Sequence, residues 1–119
     1  MNRSERGRTG EQAACDFLEK NGYRIVERNF RKPCGEVDII AVEGGTIAFC
    51  EVKSWERMPI SGLEHALSRR KQGRIIRTSL WFLSEHPECT AFQPRFDLLF
   101  VSRGSVEHLK NAFGRHGAL

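Results

Sequence analysis

GEVDIIAVEGGTIAFCEVKSW, residues 35–55, reads as a hairpin that carries charges inside its strands. Two apolar, β-branched runs, Glu36–Val42 and Thr46–Trp55, flank Gly44 and Gly45. Paired glycines between such runs signal two antiparallel strands joined by a two-residue turn. That turn puts Glu43 opposite Thr46. Counting back along both strands puts Asp38 opposite Glu51, and Glu36 opposite Lys53. Directly opposed Cβ atoms lie about 4.5–5.5 Å apart, and two carboxylates that close repel. A divalent cation between them reverses the sign of the interaction. Side chains alternate along a strand, so Lys53 shares a face with Glu51. Ile40 and Phe49 share it too, which argues against a wholly solvated ladder of salt bridges, the competing reading. Two carboxylates and an ammonium in one cluster are the equipment of metal-assisted phosphodiester hydrolysis.

N-terminal to the hairpin, Thr9-Gly10-Glu11-Gln12 matches a capping box with Thr9 as N-cap. The helix it predicts, Gly10 to about Asn21, aligns Ala13, Ala14, Phe17 and Leu18, and Gly22 stops it. Residues 1–8 are polar and basic and are expected to fray. Tyr23–Phe30 reads as a first strand and residues 31–35 as a loop. Beyond the hairpin, Ser61-Gly62-Leu63-Glu64 is a second capping box, and Ser68 starts a further helical stretch. Ile75, Ile76, Ser79, Leu80 and Leu83 form its core face to about Glu85, and Pro87 ends it. Arg95–Val101 and Val106–Leu109 are the last strands. The order is α-β-β-β-α-β plus a terminal strand. The long helical connection permits a parallel crossover, so an α/β fold with a mixed sheet is expected. At 119 residues the length predicts one domain, residues 1–119.

The composition suits a soluble globular protein. The chain carries net charge +4, and its Lys+Arg total of 19 is mostly arginine. The guanidinium fork binds phosphate oxygens bidentately, which leans toward a nucleic-acid partner. Arg69, Arg70, Lys71, Arg74 and Arg77 form a basic run that reads either as a solvated helix face or as a phosphate-tracking surface. An apolar run of about 18 residues is lacking, so no membrane span or membrane partner is expected. The N-terminus lacks the apolar core of a secretory signal, and a cytoplasmic location is expected. Cys15, Cys34, Cys50 and Cys89 show no zinc-ligand spacing and read as reduced thiols. The four histidines read as surface residues. Trp55 and Trp81 read as core or interface residues rather than base-stacking platforms. Asp97 reads as the ion-pair partner of Arg95.

An acid on the first helix (Glu11), then G-E-V-D-I-I, then F-C-E-V-K, on this element order, resembles the PD-(D/E)XK nuclease superfamily. The likeness is to its Holliday-junction-resolvase-like branch, with a restriction-endonuclease-like core. GRTGEQAACDFLEKNGYRIVERNFR, GEVDIIA, FCEVKSW, RKQGRI and RFDLLFV together resemble the bacterial YraN-like family over nearly the whole chain. The resemblance implies that Asp38, Glu51 and the main-chain carbonyl of Val52 hold Mg²⁺ (or Mn²⁺), with Glu11 a metal or outer ligand. It implies that Lys53 orients or activates the attacking water. Gln72, or Lys71 beside it, resembles the extra polar residue on the helix after the third strand. Val37 stands where the superfamily's name motif has proline. The function implied is a Mg²⁺-dependent endonuclease on DNA, branched DNA included. A nucleic-acid-binding module without turnover is the alternative, and a protein-interaction domain a third reading. The oligomeric state stays open, with a homodimer as the form of resolvase-like relatives.

Overall fold

The computed structural model describes residues 3–54 and 67–114. Its elements are α1 (Arg3–Lys20), β1 (Arg24–Lys32), β2 (Gly35–Glu43), β3 (Thr46–Ser54), α2 (Arg69–Glu85), β4 (Gln93–Ser102) and β5 (Ser105–Phe113). The strands form one sheet in sequence order. Only β3 and β4 pair in parallel; the other neighbours are antiparallel. This is the expected mixed α/β sheet, compatible with a restriction-endonuclease-like core. Trp55, His65, the second capping box and His116 lie outside the described residues.

The two helices cover opposite faces. Ala14, Cys15 and Leu18 of α1 pack on Ile39, Ala41, Ala48, Cys50 and Leu99. Ile75 and Phe82 of α2 pack on Val37, Ile40, Ile47, Phe49 and Leu98. The α2 stripe Ile75, Thr78, Ser79 and Phe82 is buried, the spacing of one helical face. Ser68 caps this helix as expected: its hydroxyl accepts from Lys71 N–H at 3.2 Å.

Helix α1 begins earlier than the sequence suggested. Thr9 lies inside it, and residues 3–8 are helical rather than frayed. Gln12 does not close a capping box; its amide donates to Asp16 and accepts from Arg28. The C-terminus ends as expected. Gly22 takes φ +89, and the Gly22 and Tyr23 N–H groups donate to the Glu19 and Leu18 carbonyls at 3.2 and 3.0 Å. These are the two bonds of a Schellman cap, and they bury Tyr23 beside Leu18. β5 runs to Phe113 rather than stopping at Leu109.

Candidate active site

The Gly44-Gly45 turn sets the register of β2 and β3 as expected, from Glu43↔Thr46 back to Ile39↔Cys50. There the ladder stops. Asp38 and Glu51 do not form its next rung, because Val52 N–H donates to Asp38 Oδ2 at 2.8 Å. A carboxylate takes the place of a backbone acceptor. The strand's alternation slips at the same point. Val37 belongs to the α2-side core and Ile39 to the α1-side core. On the other flank, Asn29 adopts φ +53, between the pairs Arg28↔Ile39 and Phe30↔Val37. Asp38 therefore sits in a local break in the sheet, the kind of irregularity that re-aims a side chain.

Asp38 and Glu51 are both buried, at 8% and 6% exposure. Both line a cleft of about 400 Å³ with Arg31, Lys32, Lys71 and Arg74. Burial, followed by the charge of Glu51, pushes the Asp38 carboxyl up to about 8, against the pull of the Val52 N–H. Glu51 is flanked by two ammonium groups, Lys71 Nζ at 2.9 Å and Lys53 Nζ at 3.5 Å. Burial lowers the Lys53 ammonium below its ordinary value, and the Glu51 charge only partly offsets this. Asp38, Glu51 and Lys71 thus meet at the cleft, while Lys53 reaches Glu51 but is not among the residues lining it.

Gly35 allows α2 to approach this closely. A Cβ there would lie 3.1 Å from Arg74 Cβ and 3.3 Å from the Arg74 carbonyl. Glu11 of α1 adds to the negative field at Asp38 and to the positive character of Arg31, but it is not among the residues lining the cleft. Among the described residues no three acidic, histidine or cysteine side chains form a ready-made cation cage. With Glu36, also on the cleft wall, held by Arg31, Asp38 and Glu51 are the carboxylates that would supply hard oxygens to an ion such as Mg²⁺, which keeps several waters.

Four placements differ from expectation. Glu36 pairs with Arg31, its partner across β1 and β2, and not with Lys53, because the β2–β3 ladder has ended before it. Gln72 turns its amide to the Leu67 carbonyl at 3.1 Å, so Lys71 rather than Gln72 reaches the carboxylates. His108 is not a surface residue. Its Nε2 lies 2.8 Å from Asp97 Oδ2, with side-chain exposures of 6% and 0%. His86 also departs from a free surface role: it stacks on Phe82 at 3.9 Å between ring centroids. Of the basic run, Lys71 and Arg74 line the cleft; Arg69, Arg70 and Arg77 are exposed on the same helix.

A second charged cluster lies behind the sheet. Arg95 donates to both oxygens of Asp97 and to the Tyr23 hydroxyl. Asn111 N–H donates to Asp97 Oδ1 at 2.9 Å. Burial alone would raise the Asp97 carboxyl; His108, Arg95 and the Asn111 N–H together hold it below its ordinary value. The Arg95–Asp97 pair was expected. The His108 contact was not, because it depends on a register shift in β4–β5 between Phe96 and Leu98.

The four cysteines are free thiols. Among the described residues no helix is long and apolar enough to cross a membrane.

The sequence profile of "Uncharacterised protein family UPF0102" matches residues 10–101. A UPF0102 protein of Desulfosudis oleivorans is 43% identical over 113 residues, covering 93% of this chain and 91% of that one. One from Trichlorobacter lovleyi is 44% identical over 115 residues, covering 90% and 88%. One from Persephonella marina is 38% identical over 108 residues, covering 91% and 92%.

Proposed function

This chain belongs to the UPF0102 family, and from its cleft we propose a Mg²⁺-dependent nucleic-acid phosphodiesterase of the PD-(D/E)XK type, an endonuclease acting on DNA. One observation carries the reading: two carboxylates buried side by side, one pushed up to about 8, open onto a cleft walled by cations. Burying paired acids costs stability unless something neutralises them. A fold that retains the pair invites a cation.

When bound, Mg²⁺ would lower the pKa of a water and balance charge on the phosphate oxygens. The chain's own residues do the rest. Val52 N–H holds Asp38 Oδ2 in position. Asp38 and Glu51 present hard oxygens from adjacent strands. Lys71, on the cleft wall, and Lys53 behind it, both against Glu51, would offset negative charge growing on a phosphate held in the cleft, and preorganised cations there are worth most. Arg74 and Arg31, on the cleft wall, suit the non-bridging oxygens of the flanking phosphates.

A second reading has its own support. Two lysines already neutralise Glu51, which describes a binding module that retains the fold without turnover. Incubation of the protein with linear, single-stranded and branched DNA, with Mg²⁺ or Mn²⁺, separates the two. Wild type should cut, and Asp38→Asn and Lys53→Ala should lose at least about a hundredfold in rate, as for loss of a group stabilising the transition state. Binding without cutting by a folded wild type favours the module. Equal cutting by all three proteins would mean a contaminant and remove the support.

A further inference from the structure

Among the described residues, Leu80, expected on the core face of α2, and Trp81, expected in a core or interface, are instead the large apolar side chains left exposed, at 40% and 42%. Trp81 stands on the α2 face that also carries Arg74 and Arg77, at the spacings i, i+3 and i+7 of one helical stripe. Seven residues of helix place Trp81 about 10 Å along the axis from Arg74, which itself lines the cleft. Lys32 joins the two places. It lines the cleft, and its Nζ lies 5.3 Å from the centre of the Trp81 ring and 2.9 Å from Glu85. Lys32, followed by Trp81 to a smaller degree, also holds the Glu85 carboxyl below its ordinary value. The indole is therefore tethered, and an ordered ring loses little freedom when something stacks on it.

We propose that Arg74, Arg77 and Trp81 of α2, with Lys32 of β1, form the path by which a single strand of nucleic acid leaves the cleft, one base stacking on the Trp81 indole. The inference rests on the cleft being a nucleic-acid site. Charge argues for this occupant. The first turn of α2 contains Arg69, Arg70 and Lys71 and no acid, the reverse of what the helix dipole favours; a polyanion alongside relieves that cost. A two-fold dimer through the same face would set this arginine patch against itself. Arginines track phosphates while an aromatic ring accepts any base, which is how single strands are held without sequence preference.

The test is fluorescence anisotropy of labelled oligothymidylate with the full chain in EDTA, so that no metal-dependent cleavage intervenes. Trp81→Ala should bind about tenfold more weakly with an unchanged salt dependence, and Trp81→Phe should retain binding. Wild type should bind an abasic oligomer as weakly as Trp81→Ala binds the natural one. Arg77→Ala should reduce the slope of log K against log salt by about 0.7. Far-ultraviolet circular dichroism confirms folding, and Trp81 is exposed enough for its variants to fold. Binding unaffected by Trp81→Ala overturns the inference, as does wild type failing to bind, or self-association that Trp81→Ala abolishes. Trp81-dependent binding by a wild type that cuts no substrate keeps this inference and sinks the hydrolase. Cutting with no Trp81 dependence does the opposite.

Discussion

Asp38 holds a proton in the native state that the unfolded chain has already released. Its carboxyl titrates at about 8 in the fold against 3.8 as its ordinary value, chiefly through burial and then through Glu51. The native state thus binds more protons between those limits, and metal-free stability falls as pH rises through them. Asp38→Asn keeps an oxygen for the Val52 N–H and removes the titration. The variant's advantage over wild type should be larger at pH 8 than at pH 5 by roughly 3–4 kcal/mol, read from urea melts at both values. A gain independent of pH would assign the effect to packing. Behind the sheet the sign is opposite: Asp97→Asn leaves Arg95 without its buried counter-charge. It should cost about 3–5 kcal/mol in the same measurement. A loss under about 1 kcal/mol would mean the pair is open to water.

Among the elements, α2 and the β2–β3 hairpin build the cleft, and Gly35 sets their separation. Gly35→Ala forces Cβ against Arg74 and against Thr78 Oγ1, the latter at 3.0 Å. Overpacking of this kind costs about 1–3 kcal/mol. It should lower the urea midpoint and weaken binding of nucleic acid, because Lys71 and Arg74 move with the helix. Gly45→Ala, where a Cβ meets nothing within 4 Å, is the control and should leave binding intact. The hairpin was legible because a glycine pair dictates its own register. What sequence could not reveal is where the ladder ends: a side chain, Asp38, takes over an amide that strand periodicity assigns to the backbone. Gln72 and Lys71 illustrate the same limit. Adjacent helix residues point about 100° apart, so only the packing of Ile75 and Phe82 decides which one faces Glu51. The start of α1 was hidden for another reason. Its first turns carry no apolar stripe, and Thr9-Gly10-Glu11-Gln12 imitates a cap in mid-helix.

At the scale of the whole molecule, the charges divide between the two faces of one sheet. Asp97 with Arg95, His108 and Tyr23 is closed and satisfied, a structural lock beside α1. Asp38 with Glu51 opens onto the cleft and is bordered by cations on α2. The element order and the placing of Asp38 near Glu51 were readable from pattern. The His108 contact was not, since it depends on Asn111 at φ +54 and a shifted register. A fold that spends stability on one face and recovers it on the other is the expected layout of a site that binds something. The direct measurement is a calorimetric titration of wild type and Asp38→Asn with Mn²⁺ at pH 8. Wild type should bind saturably, with proton release as Asp38 ionises, and Asp38→Asn should lose this binding. Equal binding by both proteins, or none by a folded wild type, would contradict a cation site at Asp38.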